Sequence, residues 1–506
     1  MDLDFLNLIR ISEDRMLSML IRDRNHPDYG FFSKKKLIDE KPVIQCLVHP
    51  LSLLVTDKIF NSKLYGEEMP IRWTKAAILN IIELQNSNGS YGNKEFFYWT
   101  PIIVYHVTMA YRKMSIYFDD EEKKFFETSL AKAGNYLCKI KLNDYLRIVE
   151  NIVALYELFK LIGNRKYDEV ASELLVKILK LQHNTGFIES KKGFDIRKHF
   201  VLVELISKYH FLNKSDVSKS ILKAGISILS KFQRPDGTLE NEIFECEEFL
   251  TPPGYIINMS KEFPETVPII CGMVESSKKM GIKIIPYQDI VPFSLSINRL
   301  FTTYKLLQKY TFENISADNG ESSNFFKDLS VVMIELKNLK IFINPSNSRI
   351  KIFSNCERDK TLIYSDSGYL LKIDEVDFIQ KNMNENNSLT LSPNEVKFSS
   401  ILMERKKSII SFKKNEIPYD RIIEFNDKKI VILTKFFLNN IVGEEFELYR
   451  IYRKINRMFR IEDIKIPSRE DLEIEHTLVD NCITTRENIT FKDNIWINET
   501  LESIIL

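Results

Sequence analysis

At 506 residues and 44% hydrophobic, the chain carries more apolar mass than one core usually holds, since cores stop growing at roughly 250 to 300 residues; two domains are expected. Lys plus Arg (71) nearly balances Asp plus Glu (70), which excludes a global field drawing it to nucleic acid or anionic lipid, so that any polyanion needs a local patch. The six cysteines form no Cys-x-x-Cys pair and are too few for a disulfide scaffold of this size, so they read as reduced core thiols.

The chain opens on MDLDFLNLIRISEDRM, with acids where a signal peptide needs bases, and no later segment reaches the roughly 18 apolar residues of a membrane span. A cytoplasmic protein that is neither membrane-bound nor nucleic-acid-bound is expected. Up to about residue 325 the apolar spacing is helical, and the helices pair around a recurring turn. Five stretches carry it: HPDYGFFS with Gly30, QNSNGSYG with Gly89, KLNDYLR at Asn143-Asp144, QHNTGFIES with Gly186 and QRPDGTLEN with Gly237. In three of them an apolar helix ends in Gln85, Gln182 or Gln233, a glycine turn follows, and a second helix then begins. Phe96 to Met114, Tyr145 to Ile162 and Ile196 to Leu212 fit that second role, because each is apolar on more than one face, as an inner helix must be. A sixth pair is expected from Pro264 to Gly281 and Pro292 to Phe312. Hairpins in series can close into an α/α toroid, an incomplete barrel of helical hairpins whose turn loops converge on one mouth; an open solenoid is the alternative.

Near SADNGESSNFFKD (Ser316 to Asp328) the composition turns polar, and beyond it the period changes. Val331 to Phe342, Ser348 to Phe353, Gly368 to Ile373, Val396 to Glu404, Lys406 to Phe412, Ile430 to Phe437, Glu447 to Ile455 and Phe459 to Ile466 read as strands. The expected organisation is an α/α toroid over residues 1–325 and an antiparallel β-sandwich over 326–506.

One stretch gathers most of the candidate chemistry. Gln233 to Asn258 joins the Asp236-Gly237 turn, the acids Glu240, Glu242, Glu245, Glu247 and Glu248, and a Pro-Pro-Gly-Tyr sequence whose stiff backbone would fix the phenol of Tyr255. Such a tyrosine is either a proton carrier or a packed turn residue. The run Lys191-Lys192-Gly193-Phe194-Asp195-Ile196-Arg197-Lys198-His199 puts four permanent positive charges against one negative at the start of an inner helix, whose dipole adds to them. It is the best anion site in the sequence, with Arg197 and Lys198 as candidate carboxylate ligands, although basic runs also serve as solvated faces. Tyr98 and Trp99, beside another mouth-side turn, would suit stacking on sugar faces or core packing. Glu240 and Asn241 stand where a toroid mouth would place substrate-binding groups. Two carboxylates of that loop would also serve a glycoside hydrolase.

A helical toroid followed by an antiparallel sandwich resembles the polysaccharide lyases of the heparinase II/III, chondroitin/hyaluronate and alginate lyase type. In those lyases an Asp-Gly-Ser/Thr turn precedes the loop with the catalytic tyrosine, as Asp236-Gly237-Thr238 here precedes Gly254-Tyr255. They also place an Asn or His at the start of the preceding inner helix, where His199 stands 56 residues before Tyr255. Asp366-Ser367-Gly368-Tyr369 and Arg421-Ile422-Ile423-Glu424-Phe425 are similar to their sandwich strands. A His-Asp motif on an early sandwich strand has no counterpart between Lys327 and Lys414, and His476 comes late, so no metal and no cofactor is expected. The resemblance implies β-elimination on a uronate-containing oligo- or polysaccharide, with Tyr255 and His199 at one pocket as the catalytic pair. A hydrolase using the Glu240 to Glu248 loop, and a catalytically silent glycan-binding protein of the same architecture, are the alternatives.

Overall fold

The computed structural model describes residues 3–92, 97–189, 194–244, 252–281 and 290–310 and, from residue 322 on, the strands named below with positions 329 and 345. It divides into two compact units. The first comprises Met1–Gln233, Gly237–Leu239 and Phe249–Ser316; the second comprises Arg234–Asp236, Glu240–Glu248 and Ala317–Leu506. Most of the acidic loop that follows Gln233 thus belongs with the C-terminal half.

The first unit is helical: α1 (Leu3–Met19), α2 (Lys35–Glu40), α3 (Val48–Thr56), α4 (Glu68–Leu79), α5 (Thr100–Met114), α6 (Asp120–Leu137), α7 (Tyr145–Ile162), α8 (Arg165–Leu181), α9 (Ile196–Asn213), α10 (Asp216–Lys231), α11 (Thr266–Met280) and α12 (Ile290–Leu307). None of them, among the described residues, is long and apolar enough to cross a membrane. Two kinds alternate. In α7 every residue from Ile148 to Leu158 is buried, whereas α8 buries only Tyr167, Ala171, Leu175 and Ile178, one stripe at helical spacing. Starts are set by side-chain caps: Asp119 with Glu122 forms a capping box on α6, and Asp144, Asn164 and Asp195 accept from the first-turn amides of α7, α8 and α9. The buried helices touch in sequence. α3 packs on α5, α5 on α7, α7 on α9, α9 on the 3-10 turn Gly254–Met259, that turn on α12, and α12 on α3, so the series of contacts returns to its start.

The Gln-turn-Gly signal has a structural reason. Gln85 Nε2 donates to the Ser129 carbonyl of α6 (2.9 Å), Gln182 Nε2 to the Ile221 carbonyl of α10 (3.2 Å), and Gln233 Nε2 to the Pro268 and Ile269 carbonyls of α11 (both 3.4 Å). Each glutamine also donates to the carbonyl of its own turn glycine, four residues on. Gly89, Gly186 and Gly237 all have positive φ, and a Cβ on any of them would run into the backbone of that same neighbouring helix, at Lys132, Ala224 and Gly272. One glutamine and one glycine therefore clip each hairpin to the next outer helix.

The second unit is all β. β1 (Ser322–Phe326), β2 (Val331–Leu336), β3 (Leu339–Asn344), β4 (Arg349–Ser354) and β5 (Leu362–Asp366) form an antiparallel sheet in chain order. A second antiparallel sheet contains β6 (Tyr369–Ile373), β7 (Val376–Gln380), β8 (Leu389–Ser392), β9 (Glu395–Glu404), β10 (Glu416–Phe425), β11 (Lys429–Phe436), β12 (Phe446–Lys454), β13 (Arg457–Ile466), β14 (Leu472–Val479), β15 (Cys482–Phe491), β16 (Asn494–Asn498) and β17 (Ile504–Ile505). Its order is β13-β12-β6-β7-β9-β10-β11-β14-β15-β16, with β8 on β9 and β17 on β15. Val332, Ile334, Ile341, Ile343, Ile350 and Ile352 of the first sheet share one buried core with Val396, Phe398, Ile423 and Ile432 of the second. The expected single strand from Val331 to Phe342 is instead two antiparallel strands, β2 and β3, with Leu336 opposite Leu339; the polar pair Lys337-Asn338 separates them in the sequence. The expected strand Lys406 to Phe412 lies outside the described residues.

Candidate active site

Within the first unit the buried helices surround a cavity of about 300 Å³. Its lining comes from the first turns of α3, α5 and α7 and the middle of α9 and α12: His49 of α3, Trp99 just before α5, Ile102, Tyr105 and His106 of α5, Leu146, Arg147 and Glu150 of α7, Val201, Glu204 and Leu205 of α9, and Leu295, Ser296, Asn298, Arg299 and Thr302 of α12. Tyr255, from the 3-10 turn after Pro252-Pro253, completes it.

The Pro-Pro-Gly-Tyr turn is shaped by what it touches. Gly254 has φ +54°, and a Cβ there would overlap Glu204 Oε1, so only glycine fits. The Gly254 amide donates to Thr303 Oγ1 (2.8 Å) and the Tyr255 amide donates to the Glu204 carboxylate. Above the Tyr255 ring, 4.8 Å from its centroid, lies the Lys208 ammonium, held by Glu157 at 3.0 Å. Tyr105 stands beside Tyr255; burial pushes its phenol well above the ordinary range and the neighbouring phenol pushes it further.

Two histidines of the lining are neutral. His49 Nδ1 lies 2.9 Å from Asn298 Oδ1, and Asn298 Nδ2 donates to the Ser294 and Cys46 carbonyls (2.8 and 3.2 Å). With the amide donors spent on carbonyls, Oδ1 must accept, so the proton sits on His49 Nδ1 and Nε2 keeps a lone pair. Burial lowers His49 to about 3. His106, whose ring centroid is 5.6 Å from that of His49 and 4.8 Å from that of Tyr105, is pushed well below the ordinary histidine range by burial. Its Nδ1 is buried with no hydrogen-bond partner among the described residues.

Charge in the cavity is paired. Arg147 Nη1 donates to both Glu150 oxygens (2.8 and 2.6 Å), and Arg299 Nε to Glu204 Oε2 (2.6 Å). Burial pushes both carboxyls above the ordinary range, although their arginines pull them back. The Arg147 guanidinium also lies 4.1 Å from the Trp99 ring centroid and 5.3 Å from that of Tyr98. Among the described residues, no group of three or more His, Cys, Asp or Glu could hold a metal ion.

Of the residues singled out in the sequence, Tyr255 and Trp99 line this cavity, and Tyr98 stands next to it with 39% of its surface exposed. His199 does not line it. It is fully buried against α10, where Nε2 donates to the Gly225 carbonyl (3.0 Å), and burial lowers it to about 4. Arg197 and Lys198 are likewise absent from the lining: Arg197 pairs with the cap residue Asp195 (3.0 Å) and Lys198 with Asp144 (3.3 Å). The physical reason is that helix-start aspartates collect these cations: Asp195, the cap of α9, takes Arg197, and Asp144, the cap of α7, takes Lys198. Lys191, Lys192 and Gly193 lie outside the described residues.

Glu240 and Asn241 belong to the second unit. Glu240 is fully buried, bonded to Arg234 (2.7 Å) and the Ile243 amide (2.9 Å), with Lys351 at 3.7 Å. Burial alone would raise its carboxyl, but Arg234 and Lys351 outweigh it and hold it below the ordinary range. Asn241 is 1% exposed, beside Arg234. Glu242 pairs with Lys351, while Glu245, Glu247 and Glu248 lie outside the described residues. The residues sequence reasoning passed over are His49, His106, Arg147, Glu150, Glu204, Asn298 and Arg299. One signal was available: each is a polar or charged residue within a helix that is otherwise largely apolar.

No family model and no curated protein matches the sequence. Solved structures do. A xanthan lyase from Paenibacillus aligns with a TM-score of 0.55 at 9% identity over 98% of this chain and 54% of that one. The chondroitin AC lyase of Streptomyces coelicolor A3, solved in complex with chondroitin sulphate, aligns with a TM-score of 0.53 at 9% identity over 99% of this chain and 75% of that one. This chain thus spans little more than half the length of the xanthan lyase. At the level of fold, it resembles polysaccharide lyases.

Proposed function

We propose that the helices close into an α/α toroid, that the two sheets form a β-sandwich, and that the cavity around Tyr255 is the centre of a lyase cleaving a uronate-containing polysaccharide by β-elimination. The observation that carries this reading is that one cavity brings together a phenol held by its backbone, two neutral histidines and two arginines. In the reaction a base takes the proton from the carbon next to the uronate carboxylate. The C–H electron pair becomes the new carbon–carbon double bond, the bond to the glycosidic oxygen breaks, and that oxygen takes a proton. Arg147 and Arg299 bind the carboxylate, which makes the neighbouring proton acidic. Tyr255 moves the proton, and His49, with its Nε2 lone pair fixed by Asn298, accepts a hydrogen bond or proton in the same space. Trp99 stacks on a sugar face. His199, Arg197 and Lys198 play no part in this arrangement.

The hydrolase built on Glu240 has less support, because a carboxylate committed to Arg234 and Lys351 is a poor acid or nucleophile. The test is incubation with alginate, hyaluronan, chondroitin and heparosan, followed at the ultraviolet absorbance of the unsaturated product. Absorbance gain that disappears in Tyr255→Phe supports the lyase. New reducing ends without it point to hydrolysis, and binding without turnover to a silent glycan-binding protein.

A further inference from the structure

The cavity's two cations each face a buried carboxylate: Arg147 with Glu150 on α7, and Arg299 of α12 with Glu204 of α9. Both acids are nearly inaccessible, at 3% exposure each. The remaining titratable lining groups, His49, His106, Tyr105 and Tyr255, carry no positive charge at neutral pH in the histidines' case, because burial keeps both neutral. Among the described lining residues the formal charges therefore cancel, two against two. A site built for a densely anionic chain would leave its guanidinium groups to the ligand. Here each has already given hydrogen bonds to a protein carboxylate.

We propose, on the reading of this cavity as a lyase centre, that Glu150 and Glu204 set its specificity for a glycan of low charge density: a uronate sugar with one carboxylate and no sulfate ester at the bound position. One carboxylate can share the outer edge of a guanidinium that already holds a glutamate, since arginine has five donors. A sulfate on the same ring adds a permanent charge to a cavity of about 300 Å³, at the small end of ligand pockets. No third cation stands among the described lining residues to meet it, and Glu150 and Glu204 repel it.

The experiment uses matched backbones: unsulfated chondroitin against chondroitin sulfate, and heparosan against heparan sulfate, as size-matched oligosaccharides. Affinity is measured by titration calorimetry on Tyr255→Phe, and turnover on the wild type. In each pair the unsulfated member is expected to bind about tenfold or more tightly. Glu150→Gln, which removes one negative charge, should narrow that gap. If the variant fails to fold, the salt dependence of the wild type serves: a charge-balanced cavity gives a shallow loss of uronate affinity with ionic strength, an unbalanced cationic one a steep loss. Equal or tighter binding of the sulfated member, with turnover on both, overturns the inference and leaves the lyase standing. Neither binding nor turnover on any of the four, with no turnover of alginate or hyaluronan either, overturns the lyase reading, and this inference with it.

Discussion

In the second unit Arg234, Glu240, Glu242 and Lys351 are buried together with ion pairs satisfying each carboxylate, whereas the cavity of the first unit buries His49, His106, Tyr105, Glu150 and Glu204 around a half-buried Tyr255. There burial raises Glu150, Glu204 and Tyr105 and lowers His49 and His106, and His106 Nδ1 is a buried atom without a partner among the described residues. Both regions look alike as composition. They differ in what sets the protonation: at His49, His106 and Tyr105 burial is the largest cause, the condition under which side chains are poised for proton transfer, while Arg147 and Arg299 pull Glu150 and Glu204 back toward the ionised form. The Glu240 cluster is held ionised by its partners, the condition of a structural ion pair.

The sharpest way to break this comparison is to remove one group from each region. Tyr255→Phe deletes a single hydroxyl in the cavity and is expected to lower turnover by about 10²- to 10⁴-fold, the usual weight of one acid–base group, with the thermal unfolding midpoint unchanged. Turnover close to wild type would make Tyr255 a packed ring. Glu240→Ala should act the other way round. It takes from the buried Arg234 its carboxylate partner, while Lys351 keeps Glu242, so a loss of about 3 to 5 kcal/mol in denaturant unfolding is expected, with turnover per folded molecule preserved. If Glu240→Ala instead abolished cleavage without loss of stability, the acidic loop would be the reactive region.

Much of the helical half was legible because its signals are local. The buried helices were expected at Phe96 to Met114, Tyr145 to Ile162 and Ile196 to Leu212, and lie at Thr100–Met114, Tyr145–Ile162 and Ile196–Asn213, since all-round apolarity is written in consecutive residues. The recurring Gln-turn-Gly was legible for the same reason, and the clip it makes explains its recurrence. The strands were harder: β1, β5, β7, β8 and β14 to β17 were not anticipated, because their alternation is short or interrupted by polar and charged residues, as in Leu472–Val479 (LEIEHTLV). For the cavity, Tyr255 was readable from Pro-Pro-Gly, but its companions were not. His49 and Asn298 are 249 residues apart and meet only through the packing of α3 against α12. His199 attracted attention by its spacing to Tyr255, yet it sits on the face of α9 that packs on α10, where its Nε2 bonds the Gly225 carbonyl and the missing side chain of Gly225 makes room for Val203, one turn further along α9.

A smaller effect sharpens the account of the helical unit itself. Gln182→Ala withdraws the amide that joins the Gly186 carbonyl (2.7 Å) and the Ile221 carbonyl (3.2 Å). Leaving these acceptors without that donor is expected to destabilise the unit by about 1 to 3 kcal/mol. Hydrogen exchange should report the loss across α8 and α10 before the rest.

The smallest effect per step is pH dependence, and it distinguishes the two regions by sign and window. His49, His106 and His199 are lowered in the folded state, to about 3 and about 4 for the first and third. An unfolded histidine takes its proton near 6.5, so below that pH the unfolded chain binds protons the folded one refuses, and stability falls as pH falls. Each histidine contributes on the order of 1.4 kcal/mol per pH unit until its folded value is reached. Glu150 and Glu204, raised by burial, work in the opposite direction and offset part of that loss. Glu240 is lowered, so its stabilisation is complete above about 4.5, its ordinary value, and is lost only as pH drops below that. Between pH 6.5 and 5 the helical unit should therefore lose protection against hydrogen exchange while the Arg234–Glu240 cluster keeps its own. Loss of the β unit first over that interval would mean that the buried histidines are not the neutral groups described, and would remove His49 from the proton-accepting role proposed for it.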